Sequence, residues 1–160
     1  MPTKRRRPRT ITVILLFLLW VDGKAFWGII FPRTSGSFHF YSAIDAEWLH
    51  WVLSALTVAL AATAVGYLWR PATGWVYAVL IAFGVYALQI IVETAHMVRH
   101  LDLARESYVT ARQIRHLPVR PATADRIFTP EAVWLTALGL LAMLAIMAVM
   151  AWRKRDFEAA

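Results

Sequence analysis

The sequence predicts an all-α integral membrane protein, with four transmembrane helices in an up-down bundle and an outer interfacial helix between the third and fourth spans. Hydrophobic residues make up 59% of its 160 residues, and charged residues only 17%. Apolar runs of about 20 residues recur, which is the length needed to cross a hydrocarbon core of about 30 Å. This composition leaves no room for a separate soluble domain.

The chain begins with a basic tail over residues 1–10, which is expected to stay in the cytoplasm. The first span is predicted over about 11–31, with Asp22 and Lys24 inside it. Because residues two positions apart point to different sides of a helix, these two side chains do not pair with each other. Each then needs a partner on another span, unless Asp22 caps a helix break at Gly23 and Lys24 reaches towards the membrane surface.

The second and third spans are predicted to form an antiparallel hairpin. Residues 32–41 are rich in glycine, serine and aromatic residues and indicate a loop. Ser42 and Asp45 then resemble a capping box before a second span over about 46–69. The turn to the third span, over about 74–98, is so short that the two spans pack side by side.

The segment 99–130 is a polar, arginine-rich outer loop. Its first part, 101–116, is predicted to continue as an amphipathic helix at the membrane interface, which two prolines then end. Thr129 is a candidate N-cap, since Pro130 and an acidic residue follow it at the first positions of a helix. The fourth span is predicted over about 131–152.

Both termini are predicted on the cytoplasmic side of a bacterial plasma membrane. An even number of spans leaves both termini on one side of the membrane. The basic tail, Arg70 and the C-terminal tail over 153–160 carry positive charge, which is favoured on the cytoplasmic side. The arginines of the 99–130 loop lie on the opposite side in this topology, so the difference in charge is small. All five histidines then fall in the outer half of the membrane or outside it.

Several classes of function are excluded by composition and motif. The absence of cysteine excludes disulfide exchange, thiolate metal ligation and thiol catalysis. The net charge of +7 does not indicate nucleic-acid binding, because the basic residues flank apolar spans instead of forming a soluble binding fold. The sequence also lacks a nucleophile elbow, a phosphate-binding loop and a Rossmann glycine pattern.

A polar stripe at the end of the third span is the strongest candidate for a functional site. At about 100° per residue, Gln89, Glu93, His96 and His100 fall on one face of an otherwise apolar helix. Ionisable side chains within a span are costly in lipid, so they indicate function by default.

Two Glu-x-x-His motifs within the hairpin predict a metal site. Glu47 and His50 open the second span, and Glu93 and His96 close the third, which brings both motifs to the same side of the membrane. Such pairs form half of the ligand set in di-iron carboxylate bundles. Imidazole and carboxylate suit iron, copper or zinc, and a b-type haem between His50 and His96 is an alternative. The candidate ligands are Glu47, His50, Glu93, His96 and His100, with Asp22 and Glu131 as additional carboxylates.

A structural interpretation of the same residues is equally open, and it requires no cofactor. Glu47 and Glu131 lie in first helical turns, where an acid is stabilised by the helix dipole whatever its function. Glu93 is expected to form a buried ion pair with Lys24. The histidines lie near the membrane interface, where a neutral imidazole costs little.

Three classes of function therefore stay open. The first is a metal- or haem-binding membrane protein in redox chemistry or metal handling. The second is a non-catalytic accessory subunit that docks other membrane subunits through its last span. The third is a homo-oligomer that conducts protons or ions, with Asp22, Lys24 and Glu93 as the relay. The lipid bilayer is a partner in each case, and nucleic acid in none.

Overall fold

The computed structural model describes residues 9–69 and 74–154, and every regular element in these two ranges is helical. The basic tail up to residue 8, the turn with Arg70 and the C-terminal tail from residue 155 lie outside the described residues. The helices are α1 (Arg9–Ile30), α2 (Gly36–Ala43), α3 (Glu47–Trp69), α4 (Trp75–Arg99), α5 (Leu101–Ile114), α6 (Pro121–Ile127) and α7 (Pro130–Trp152), with a 3₁₀ turn at Pro32–Thr34 before α2.

Four of these helices, α1, α3, α4 and α7, are long and apolar enough to cross a membrane. Their ends fall within one or two residues of the spans predicted from hydropathy. The predicted start of α7 is present in detail, because Thr129 Oγ1 accepts a hydrogen bond of 3.2 Å from Ala132 N and Pro130 is the first helical residue. α1 continues through Gly23 without a break.

Two short helices occupy segments that the sequence predicted as loop. The first is α2, within which Ser42 lies, so Ser42 does not cap α3 and the predicted capping box is wrong. Asp45 instead adopts a left-handed conformation, with φ of 53°, in the turn between α2 and α3. An aspartate tolerates this conformation better than most residues. The second is α6, which begins at Pro121 because proline suits the first turn of a helix.

The helices α2 and α5 pack on each other and form a cap, by which we mean residues 32–43 and 101–128. Ala104 and Ala111 are buried on α5. The two helices approach closely at Gly36 of α2, where an added Cβ would lie 3.9 Å from Tyr108 Cα. Phe40 and Tyr41 of α2 form an apolar cluster with Ala104 that is separate from the core of the long helices. α6 is joined to α5 by a salt bridge between Arg105 and Asp125.

The main apolar core fills one half of the bundle formed by the four long helices. It consists of residues from the first halves of α1 and α4 and the second halves of α3 and α7, with a few from the middle of these helices. α1 packs mainly on α3, α3 on α4 and α4 on α7, whereas α1 and α7 contact each other much less. The opposite half of the bundle, next to the cap, holds most of the polar residues of α3 and α4, together with Asp22 and Lys24 of α1.

The outer surface of the long helices is apolar. Trp48, Tyr77, Leu135 and Ile146 each expose more than 60% of their surface, and smaller exposed residues between them are also mostly hydrophobic. Soluble monomers rarely expose apolar patches of this extent. The length of the four helices and this surface together indicate a membrane protein.

Candidate functional site

A cavity of about 510 Å³ lies between the polar halves of the long helices, beneath the cap. Its volume is in the range of small-molecule sites, which is about 300–1,000 Å³. Its two sides differ in chemistry. α3 and α4 supply a polar wall. The wall from α7 and α1 is mainly apolar, with Val133, Ala137, Leu140, Val21 and Ala25, and it also includes the exposed Thr136 and Lys24. The polar wall includes His50, Ser54, Thr57, Gln89, Glu93 and Thr94.

Three residues of the polar wall form a hydrogen-bonded chain between α3 and α4. The Thr57 hydroxyl lies 2.6 Å from Gln89 Oε1 and donates to it, while also lying 2.8 Å from the carbonyl oxygen of Leu53. Gln89 Nε2 then donates to Glu93 Oε1 over 3.0 Å. Both hydrogen bonds therefore point towards the Glu93 carboxylate, which ends the chain at the cavity.

Glu93 is half-buried, and within the described ranges Gln89 is its one hydrogen-bond donor. Lys24 lines the same cavity, close enough for its charge to act on the carboxylate. However, Lys24 is exposed, its Nζ lies 5.7 Å from the centre of the Trp20 ring, and it forms no salt bridge with a described acidic residue. The predicted Lys24–Glu93 ion pair therefore stays a prediction.

His50 is buried and connects α3 to α1 and to the start of α2. Its Nε2 donates to the Gly28 carbonyl oxygen over 3.2 Å, and its Nδ1 lies 3.3 Å from Ser37 Oγ. Since a carbonyl oxygen only accepts, Nε2 carries the hydrogen, and Nδ1 of the neutral ring accepts from the hydroxyl. The Gly28 carbonyl needs this donor because its helical partner would be residue 32, which is a proline without an N–H group.

The structure does not bring the first Glu-x-x-His motif together as a ligand pair. Glu47 is exposed on the first turn of α3, where it accepts a hydrogen bond of 3.4 Å from Trp51 Nε1. His50 points into the bundle, and both of its ring nitrogens already have partners. A metal ion at His50 would have to displace one of these hydrogen bonds.

The other predicted ligands are also dispersed. His96 is half-buried, with its ring centre 6.2 Å from that of Tyr41, and His100 is exposed where α4 ends. Asp22 is half-buried, and Glu131 is exposed. Residues 9–69 and 74–154 contain no group of three or more histidine and acidic side chains that could hold a metal ion. The metal and haem sites stay predictions.

Two buried oxygen atoms lack a hydrogen-bond partner within the part of the chain that the structure describes: Asp22 Oδ1 and the Tyr41 hydroxyl. Tyr41 lies in the cap and is 1% exposed. Burial, reinforced by the nearby negative charge of Glu93, raises the pKa of Tyr41 far above its ordinary value. Tyr41 is therefore a neutral hydroxyl close to the end of the hydrogen-bonded chain.

Sequence reasoning identified Gln89 and Glu93 but missed Thr57, Ser37 and the cavity itself. A readable signal for Thr57 was present, because His50, Ser54 and Thr57 recur at intervals of four and three residues on one face of α3. That polar face is the counterpart of the stripe on α4. Ser37 carried no such signal, since its position depends on the fold of the cap.

No protein-family model, curated protein or solved structure matches this chain.

Proposed function

We propose that the protein is an integral membrane protein whose four long helices span the bilayer as an up-down bundle, and that its cavity binds a small amphiphilic molecule. The observation that carries the binding proposal is the cavity of about 510 Å³ with one polar and one mainly apolar wall. Pockets that combine an apolar lining with a few convergent polar groups are typical small-molecule sites.

Helix length and surface chemistry support insertion into the bilayer. The four helices contain 22 to 25 residues, which corresponds to about 33–38 Å at about 1.5 Å per residue. Their outward-facing side chains are mostly apolar. In the proposed orientation both termini face the cytoplasm, with Arg9, Arg153 and Lys154 on that side. The cavity and the cap then face the opposite side of the membrane.

The proposed entrance is the gap between α1 and α7, which contact each other much less than the other neighbouring pairs. Lys24 and Thr136 line the cavity from these two helices and are both exposed. An amphiphile that enters here would place its apolar part along Val133 and Ala137. Its polar part would then face Glu93 and Gln89.

The binding proposal is tested by native mass spectrometry of protein purified in a mild non-ionic detergent. Thr136→Phe is designed to fill the entrance, and Thr63→Phe is its matched control. Both threonines are exposed helical residues whose hydroxyls bond the carbonyl four residues earlier, but Thr63 does not line the cavity. We expect a bound small molecule on the wild-type protein and on Thr63→Phe, with reduced occupancy on Thr136→Phe. Equal occupancy in all three proteins, or none in any, would contradict the proposal.

Each of the three functions predicted from the sequence has its own test. Metal content and the visible spectrum of the purified protein test for a metal ion or haem. Recovery of partner subunits in gentle detergent tests for an accessory role, and flux in proteoliposomes tests for ion conduction. The cavity hypothesis has more support than the metal hypothesis, because His50 is engaged on both nitrogens and the described residues assemble no ligand set.

A further inference from the structure

We infer that the ligand of the cavity is an amphiphile with a protonated amine, and that Glu93 accepts a hydrogen bond from this amine and serves as its counter-ion. The inference rests on the proposed function, since it names the class of molecule that the same cavity binds. Three features of the cavity carry it: the direction of a hydrogen-bonded chain, the placement of charges, and the apolar wall.

The hydrogen-bonded chain determines what the polar end of the cavity offers to a ligand. Thr57 donates to Gln89, and Gln89 donates to one oxygen of Glu93. When Glu93 is ionised, this chain of hydrogen bonds ends in an acceptor, because a carboxylate has no hydrogen to donate. The second Glu93 oxygen receives no hydrogen bond from a described residue. A ligand that completes this end of the cavity must bring a donor.

The placement of charges favours a donor that is also a cation. Glu93 is half-buried within the bundle, whereas the two cationic residues of the cavity, Lys24 and Arg115, are both exposed. Arg115 Nε donates to the Ala111 carbonyl oxygen over 3.1 Å, and Lys24 Nζ lies near the Trp20 ring. Glu93 thus forms no salt bridge with a described residue, and a charge without a close partner is costly inside a membrane. A ligand ammonium group would remove that cost.

The remaining walls of the cavity indicate the chemistry of the rest of the ligand. Val133, Ala137 and Leu140 of α7 are apolar, and Tyr86 adds an aromatic side chain. This side suits an alkyl or aryl body. The Glu93 carboxylate also discriminates between amines with and without N–H groups, because a quaternary ammonium group has no N–H to donate. An amine with N–H groups should therefore bind more tightly than its trimethylated analogue.

The experiment compares four probes with the same alkyl chain: hexylamine, hexyltrimethylammonium, hexanol and hexanoate. Each is titrated into purified full-length protein in a non-ionic detergent, with calorimetry as the readout. The Thr136→Phe protein at the same detergent concentration measures partitioning into micelles. Glu93→Gln removes the charge at nearly constant shape. Glu106→Gln is the matched control, because Glu106 is exposed on α5 and does not line the cavity.

We expect hexylamine to bind most tightly to the wild-type protein and to Glu106→Gln. Its affinity for Glu93→Gln should fall by about tenfold or more, since hydrogen bonds to charged groups are the stronger ones. The ranking of the four probes on the wild-type protein requires no variant, so it decides the question even if Glu93→Gln fails to fold.

Hexanoate or hexanol binding as tightly as hexylamine would overturn the inference, as would an affinity for hexylamine that Glu93→Gln leaves unchanged. If such binding is still lost in Thr136→Phe, the cavity binds amphiphiles and only their assigned class is wrong. If none of the probes binds the wild-type protein, the proposed function fails together with the inference.

Discussion

His50 joins three parts of the chain, because each of its ring nitrogens has a different partner. One nitrogen satisfies the Gly28 carbonyl, which Pro32 leaves without a helical donor, and the other meets Ser37 at the start of the cap. A buried carbonyl that loses its donor costs about 1–3 kcal/mol, so this contact stabilises the end of α1. These two hydrogen bonds give His50 a structural role that requires no ligand.

Replacing His50 should therefore lower stability whether or not a ligand is present. We expect His50→Ala to lower the free energy of unfolding by about 1–3 kcal/mol, because the Gly28 carbonyl loses its donor. Thermal unfolding in detergent, followed by circular dichroism, measures the effect. His100→Ala is the control, since His100 is exposed and its side chain makes no capping hydrogen bond; we expect it to change stability by less than about 0.5 kcal/mol. Equal losses in the two variants would argue against the structural role of His50.

The contact between Thr57 and Gln89 should be measurable as a coupling between α3 and α4. In a double-mutant cycle with Thr57→Val and Gln89→Leu, we expect a coupling energy of about 0.6 kcal/mol, with about 1.7 kcal/mol as the upper limit for hydrogen bonds between membrane helices. Equilibrium unfolding in mixed micelles provides the four stabilities. A coupling energy indistinguishable from zero would show that the hydrogen bond between Thr57 and Gln89 does not hold α3 and α4 together.

The elements divide into those that local sequence determines and those that need the whole fold. Hydropathy and length predicted the four long helices, and the Thr129-Pro130 pair predicted where α7 begins. α2 and α6 were missed because each is very short, and helices of this length depend on tertiary packing for their stability. α2 is held by Phe40 and Tyr41, which pack on α5, a segment distant in the sequence.

The candidate site divides in the same way. The polar face of α4 was predictable, since one helix face is defined by spacing alone, and Gln89 and Glu93 do line the cavity. The assignment of Glu47 and His50 to one ligand set depended on which way each side chain points. Residues three positions apart are neighbours on a helix. However, the Glu47 side chain is exposed, whereas the His50 side chain is buried against the rest of the bundle. The spacing of two residues in the sequence does not determine which of their side chains is buried.

The start of α7 supplies a prediction about a single element. Thr129 Oγ1 satisfies the N–H of Ala132, and no helical carbonyl is available to that group. We expect Thr129→Ala to lower the free energy of unfolding by about 0.5–2 kcal/mol. Thr129→Ser keeps the hydroxyl and should stay close to the wild-type protein in the same thermal unfolding experiment. If the serine variant lost as much stability as the alanine variant, the hydroxyl would not be the stabilising group.

On the scale of the whole molecule, polarity is distributed unequally between the two halves of the bundle. The half that contains the start of α1 and the end of α7 has a continuous apolar core, whereas the half beneath the cap contains the cavity and its polar wall. The cap covers the second half with its own small apolar cluster. In the proposed membrane orientation, the cavity therefore lies towards the outer side beneath the cap, and the apolar core separates it from the cytoplasm.

This orientation predicts which residues a water-soluble thiol reagent reaches. The chain has no native cysteine, so single cysteines report their own positions without background. Gln113 is exposed on α5 in the cap, and Lys154 is exposed after the end of α7. In intact cells, we expect a membrane-impermeant maleimide to label Gln113→Cys but not Lys154→Cys. Lys154→Cys should become labelled once the membrane is permeabilised.

A third position separates insertion from orientation. Ala142 lies near the middle of α7 with its side chain on the outer surface, where hydrocarbon would surround it in a membrane. A thiol in apolar surroundings stays protonated and unreactive, so Ala142→Cys should resist the reagent even in permeabilised cells. Labelling of Ala142→Cys would contradict insertion of α7. Labelling of Lys154→Cys but not Gln113→Cys in intact cells would keep the insertion and reverse the orientation, which would place the cavity and the cap on the cytoplasmic side.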